Sequence, residues 1–271
     1  MESITSRRNP LVARFRRAAG RRARDDEVIL LDGAHLVEEA LGAGVAIEIA
    51  AFARTDLDAS AGARELAARI RSAGGRVLAV PDDVLGAISP AASASGVTAL
   101  AARPRRAVDD LLDATPALVL MTVDVQDPGN VGGIIRTAHA AGASGVVASG
   151  TSADPYSWKA LRGSMGGALH LPVITGLTAP HMLEWAHRHG LARCALAASG
   201  GTPLYELDLR RPLLLMVGSE GAGLPEVLRR TSDESISIPM QAPANSLNAA
   251  AAAAVVLYEA WRQRHVEGSA A

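Results

Sequence analysis

DPGNVGGIIRTA occupies residues 127–138. Three glycines, a proline, Asn130 and Arg136 crowd into it, directly after the apolar run ALVLMTVD (117–124). The run reads as a buried strand and the stretch as a turn opening into a helix. In this reading Asn130 caps the helix. Gly132 and Gly133 let another backbone or a ligand come close. Arg136 stands within the first turns, and an arginine beside a helix N-terminus can hold a phosphate or a carboxylate. An ordinary capped helix with a surface arginine fits the same residues.

Downstream, strand and helix alternate. Strands are expected at 145–149, 171–175, 193–198, 213–218 and 235–240, and helices from 157, over 180–189, from 224 and over 246–265. Upstream, a basic helix at 7–19 precedes strands at 28–33, 46–52, 76–80 and 96–102 and helices in AHLVEEALGAG, at 60–75 and in PDDVLGAI. Between the halves lies PRRAVDDLLDATP (104–116), polar and bounded by prolines. The pattern predicts a small α/β domain over 1–103, a linker over 104–116, and a second α/β domain over 117–271 with a mostly parallel sheet. Ligands of such sheets bind where strands end and loops lead into helices.

Two more loops of that kind stand out. LLLMVGSEGAGLP (213–225) runs from a strand into Gly218, Glu220, Gly221 and Gly223. Its spacing is wrong for the dinucleotide fingerprint, and Glu220 would repel a pyrophosphate. A phosphate-free ligand resting on backbone suits it better, and a structural glycine turn fits as well. SISIPMQAPANSLNAAAAAAVVLYEAW (235–261) leads from a strand through a polar loop to a helix capped by Asn245 or Ser246. Six successive alanines bury little and suggest close packing against another element or subunit; an alanine-rich genome would leave the same trace.

Net charge is −1, so overall polarity names no partner. Its distribution is less even: Arg7, Arg8, Arg14, Arg16, Arg17, Arg21, Arg22 and Arg24 face Glu2 alone within residues 1–24. Such an arm contacts phosphate or is a solvated helix face. Lys159 is the sole lysine, so the choice of arginine over lysine carries little information. The single Cys194 excludes an intrachain disulfide and a cysteine-based zinc site. The seven histidines are scattered, and His187 and His189, two apart on a predicted helix, point apart; no metal is expected. No signal peptide and no apolar run of about 20 residues is visible, which gives the expectation of a cytoplasmic protein without a membrane span.

Taken in order, the three loops resemble the SpoU/TrmH family of RNA ribose 2′-O-methyltransferases, within the SPOUT superfamily. Asn130 to Ala138 match its first motif, N-x-G-x-x-x-R-T-A. Val217-Gly218-Ser219-Glu220-Gly221 with Gly223 and Leu224 match the second. Ile238-Pro239-Met240 followed by Ser246-Leu247-Asn248 match the third. DPYSWKALRGSMGGALHLPV (154–173) is similar to the segment between the first two motifs, and the basic N-terminal part resembles a ribosomal-protein-like RNA-binding domain.

The resemblance implies a deep C-terminal trefoil knot, a homodimer with the active site at its interface, and S-adenosylmethionine as cofactor. It places the cofactor on Leu196, Ala198, Ser199, Val217, Gly218, Glu220, Gly221, Ile238, Met240, Ser246 and Leu247. It gives catalytic roles to Asn130, Arg136, Glu220, Ser246 and Asn248, with Glu220 pairing with Arg136. Guanidinium is not deprotonated in proteins, so the role expected of Arg136 is to hold a phosphate and stabilise the developing alkoxide. Arg7, Arg8, Arg14, Arg16, Arg17, Lys159 and Arg162 are expected on RNA. Ribosomal RNA is favoured over transfer RNA; a transfer-RNA enzyme and a catalytically silent RNA-binding protein are the alternatives.

Overall fold

The computed structural model describes residues 2–4, 6–20, 27–93, 95–241 and 246–265. The chain forms two compact units, residues 1–104 with 156–169, and residues 105–155 with 170–271.

The first unit opens with β1 (Glu2–Ser3), α1 (Pro10–Ala19), β2 (Val28–Asp32), α2 (Ala34–Gly42) and β3 (Ile47–Ala53). It continues through α3 (Arg54–Ala59), α4 (Ala61–Ser72), β4 (Arg76–Val80), α5 (Asp82–Ile88) and β5 (Val97–Ala102). The sheet order is β1–β4–β3–β5–β2, with β5 antiparallel to both neighbours and the other pairs parallel. α1 starts at Pro10 rather than at residue 7 because the Asn9 side chain accepts from Leu11 N at 2.9 Å and Pro10 takes the first helical position. Its Val12, Phe15 and Ala18 pack with Leu30, Ile49, Leu78 and Leu100 in one core. The short α3 and the two-residue β1 have no apolar periodicity of their own, so the sequence gives no sign of them.

The second unit begins with β6 (Leu118–Thr122), α6 (Pro128–Ala140) and β7 (Gly145–Ala148). Next in the chain is α7 (Trp158–Ser164), which belongs to the first unit, where Trp158 packs on the core cluster. After α8 (Gly167–His170) follow β8 (Val173–Thr175), α9 (Ala179–Arg188), β9 (Ala192–Ala197), β10 (Thr202–Pro203) and β11 (Leu213–Val217). The chain ends with α10 (Glu226–Thr231), β12 (Glu234–Ser237) and α11 (Ala249–His265). All pairings in the seven-stranded sheet are parallel, in the order β10–β12–β9–β11–β6–β7–β8. The central β6 and β11 are buried along their whole length, as parallel strands covered on both faces must be. Residues 105–116, expected as a linker, fall in this unit, and a short 3-10 helix (Val108–Leu112) puts Leu111 in its core.

β12 stops at Ser237, short of the expected residue 240, and the next residues but one is Pro239, which has no N–H for a ladder. α11 packs along α6, so closely that a Cβ on Gly133 would stand 3.2 Å from the Cβ of Ala250. That contact is why small residues occupy both helices. At the far end of α11 the half-buried Arg264 guanidinium donates to the carbonyls of Leu209 at 2.9 Å, Pro116 at 2.9 Å and Arg211 at 2.8 Å. Burial pulls its pKa below the usual guanidinium value. Burial likewise pushes the Cys194 thiol up to about 12, consistent with a buried, unreactive side chain.

Candidate cofactor and acceptor site

The loops after β9, β11 and β12 meet the first turn of α11 at the carboxyl edge of the sheet and enclose a cavity of about 270 Å³. All eleven residues expected at the cofactor line it: Leu196, Ala198, Ser199, Val217, Gly218, Glu220, Gly221, Ile238, Met240, Ser246 and Leu247. The structure adds Ala197, Ser219, Ala222, Gly223, Leu224, Arg229, Ala249 and Ala252. Ala249 and Ala252 sit three apart on one face of α11, hidden in the sequence by an unbroken alanine run. Arg229 enters from α10 and carried no sequence signal.

The loop after β11 folds back on itself. Gly223 N donates to Ser219 O at 2.9 Å, and Gly223 has φ +66°, a left-handed conformation that favours glycine. A Cβ on Gly218 would run into the backbone of Gly223 and Leu224. Both glycines are therefore demanded by the turn, which leaves Glu220 and Gly221 exposed at the cavity. Among the described residues the charged members of the lining are Glu220 and Arg229, and Arg229 is 3.6 Å from Glu226. Apolar walls, glycine backbone and no cluster of cations fit a phosphate-free cofactor such as S-adenosylmethionine.

Beside the cavity three motifs touch. Asn130 Nδ2 donates to Glu220 Oε1 at 2.8 Å. Asn248 Nδ2 donates to the same oxygen at 2.5 Å and to Asn130 Oδ1 at 3.0 Å. Asn248 Oδ1 accepts from Ala250 N at 2.9 Å and Ala251 N at 3.2 Å. The expected caps are thus corrected. α6 is capped by Asp127, whose Oδ1 accepts from Gly129 N at 2.6 Å, and Asn130 is the third residue of its first turn, with its amide donating to Glu220. α11 is capped by Asn248; Ser246 lines the cavity instead, and Asn245 lies outside the described residues.

The expected pairing of Glu220 with Arg136 is corrected as well. Glu220 accepts from the two asparagines, which reach it from the first turns of α6 and α11. Arg136 is two turns into α6, exposed, outside the cavity lining and without an ion-pair or hydrogen-bond partner among the described residues.

The arginines expected on RNA divide. Arg7 is paired with Asp83 at 3.1 Å, Arg14 is paired with Glu48, and Arg16 Nε donates to Ala87 O at 2.9 Å. The Arg8 and Arg17 side chains are exposed and have no partner among the described residues. Lys159 and Arg162 are exposed on α7, with the Lys159 ammonium 5.6 Å from the centre of the Trp158 ring. Arg21, Arg22 and Arg24 lie outside the described residues. Among the described residues no three His, Cys, Asp or Glu side chains form a group able to hold a metal, and no helix is long and apolar enough to cross a membrane.

Comparison with known proteins agrees with the motifs. Residues 117–258 match the SpoU rRNA methylase family and residues 9–99 match an MRM3-like substrate binding domain. A 23S rRNA (guanosine-2′-O)-methyltransferase of Bacillus subtilis is 30% identical over 95% of this chain and 98% of its own. The SpoU methyltransferase AviRb of Streptomyces viridochromogenes, solved with AdoMet, is 30% identical, with a TM-score of 0.86 over 95% of this chain and 98% of that one. A crystal structure of an RNA 2′-O ribose methyltransferase is 33% identical, with a TM-score of 0.82 over 97% of this chain and 99% of that one. Three motifs joined in one site, a family model over more than half the chain and full-length structural likeness lead to one conclusion: the chain belongs to the SpoU rRNA methylase family.

Proposed function

We propose that this protein transfers a methyl group from S-adenosylmethionine to a ribose 2′-hydroxyl of ribosomal RNA. The observation that carries the reading is the convergence of the three motif loops on one apolar, glycine-walled cavity with the Asn130–Glu220–Asn248 cluster at its side. The solved relative that binds AdoMet and the relative named for 23S rRNA 2′-O-methylation support the cofactor and the RNA class.

The cofactor, when bound, supplies an electrophilic methyl group on a sulfonium. The residues that would hold it are Leu196, Val217, Gly218, Ile238, Met240 and Leu247 around the cavity. The chain's task is then to bring the 2′-oxygen in line and hold it there, which by itself contributes much of the rate. Arg136 holds the neighbouring phosphate and offers N–H donors to the oxygen as negative charge develops. With the cofactor bound, methyl transfer from its sulfur to the 2′-oxygen would release the hydroxyl proton to that phosphate or to water, since a guanidinium is already fully protonated.

The knot, the homodimer and the cytoplasmic location are part of this proposal. Support for the knot comes from the chain path: β12 pairs on one side of β9, yet α11 packs on α6 and ties its end to Pro116 and Arg211. Support for the dimer comes from Tyr258 and Trp261, exposed on α11, and from Arg136, which has no partner within one described chain. An active site completed by a second copy would give that guanidinium its place. Substrate RNA supports the cytoplasm.

The test is incubation with methyl-labelled S-adenosylmethionine and separated ribosomal and transfer RNA from cells lacking the gene. Label in an alkali-resistant dinucleotide from ribosomal RNA is the expected result. Label on a base would overturn the chemistry, and label in transfer RNA alone would overturn the substrate.

A further inference from the structure

Two asparagine side chains, one in the first turn of α6 and one capping α11, meet at one oxygen of Glu220. Asn248 Oδ1 is spent on the backbone N–H groups of Ala250 and Ala251. The Asn248 amide nitrogen must therefore face the cluster, where it donates both to Asn130 Oδ1 and to Glu220 Oε1. With its own oxygen accepting, Asn130 donates its nitrogen to Glu220 Oε1. Glu220 is the one anion of the cluster, and it accepts throughout. Nothing in this pattern uses Glu220 as a partner of Arg136.

We propose that Asn130, Glu220 and Asn248 form a single-anion clasp that closes the cofactor loop onto the first turns of α6 and α11. Glu220 lines the cavity on the loop after β11. Its oxygen ties that loop to the helix bearing Arg136 and to the helix lining the cavity floor. The clasp so couples the cofactor wall to the acceptor side, and Glu220 is a positioning residue. What the clasp needs is one negative charge and an unbroken set of donors; the charge need not sit at position 220. This inference rests on the proposed methyl transfer for its kinetic readout only.

The prediction is reciprocal. Asn248→Asp keeps the helix cap, because Asp caps as well as Asn, but sets two carboxylates against each other where a donor stood. Like charges so placed are strongly unfavourable, and the expected loss is about 100-fold in kcat. Adding Glu220→Gln to it restores one charge and one donor. The double variant recovers at least about 10-fold over Asn248→Asp alone, even though Glu220→Gln by itself lowers the rate by weakening charge-assisted bonds. Glu220→Ala loses more than Glu220→Gln because it leaves both amides unpaired. These losses fall on kcat at saturating cofactor and RNA.

Methyl transfer and the thermal midpoint of the full chain are measured for the wild type and the four variants. Recovery in the double variant supports the clasp. A double variant no better than Asn248→Asp, or Glu220→Gln as inactive as Glu220→Ala, overturns it, since the charge would then be needed at 220 itself. If the wild type transfers no methyl group, the proposed reaction falls, while the clasp is still judged by the midpoint. It must drop in Asn248→Asp and return in the double variant, and failure to return overturns it.

Discussion

The cavity loops and the basic N-terminal helix were both marked by residue type alone, yet the folded chain treats them differently. The glycines and apolar residues of the cavity do what their types imply: Gly218 and Gly223 are required by a backbone turn, and every expected lining residue reaches the same cavity. The arginines of α1 and of the turn before it do not form a uniform patch. Arg7 and Arg14 are bound by Asp83 and Glu48, and Arg16 by a carbonyl. Backbone geometry leaves a local mark in sequence, because a left-handed turn restricts its own residue. Charge leaves none of that kind, because the neutralising partner of Arg7 is 76 positions away.

The largest loss is expected at Arg136, an exposed arginine in the first motif with no partner among the described residues and no place in the cavity lining. Arg136→Ala should lower kcat by about 10²–10³-fold, the usual loss for a donor to developing oxyanion charge. Cofactor affinity measured by calorimetry and particle mass by light scattering should stay as in the wild type. Retained transfer would remove the proposed role, and lost cofactor affinity would move Arg136 to the cavity side. Next comes Gly218→Ala. The added methyl meets the backbone of Gly223 and Leu224, which cannot move aside as a side chain can. Overpacking of this kind costs about 1–3 kcal/mol, and cofactor affinity should fall by about 10-fold or more. Unchanged affinity would mean the loop opens freely.

What the sequence made legible follows the same division. The alternation of strands and helices is plain in apolar runs such as LLLMV, and the cavity-lining residues in the motif loops. The exact caps were not legible. Asp127, Asn130, Ser246 and Asn248 are all good capping types, and only the folded chain shows that Asp127 and Asn248 cap while Asn130 is released to Glu220. Nor was the place of α7. Its sequence lies between strands of the second unit, but Trp158 packs against the first unit's core cluster, a long-range contact that local periodicity does not encode.

A smaller effect is expected among the arginines of α1 and the turn before it. If exposure without a partner decides which arginines meet RNA, Arg8→Ala with Arg17→Ala should lower the slope of log affinity against log salt by about 1.4, the value for two single-strand phosphate contacts. Arg7→Ala with Arg14→Ala should change it less, since those cations already have carboxylates beside them. Filter binding of ribosomal RNA across a salt series decides it. Equal slopes for the two double variants would mean the intramolecular pairs open on binding.

A charge pair at the amino ends of β9 and β12, away from the cavity lining, should give a weaker response still. Arg193 is the second residue of β9 and Asp233 precedes β12; the Asp233 carboxylate accepts from Arg193 N at 2.8 Å, Nε at 2.9 Å and Nη2 at 2.5 Å. The Arg193 hydrogen bonds hold the Asp233 carboxyl down to about 2, below its ordinary range. A depressed carboxylate contributes stability above its unfolded pKa of about 4 and loses it as pH falls through its folded value. The Asp233 side chain is 41% exposed, so screening keeps the contribution to about 0.5–1 kcal/mol. Asp233→Asn should therefore lower urea stability by that amount at pH 7, and the difference from wild type should shrink between about pH 4 and pH 2. A difference that stays constant through that range would assign the tie to neutral hydrogen bonding. Asp233 would then stand with the cavity glycines, whose effect is geometry, rather than with the arginines of α1, whose effect is charge.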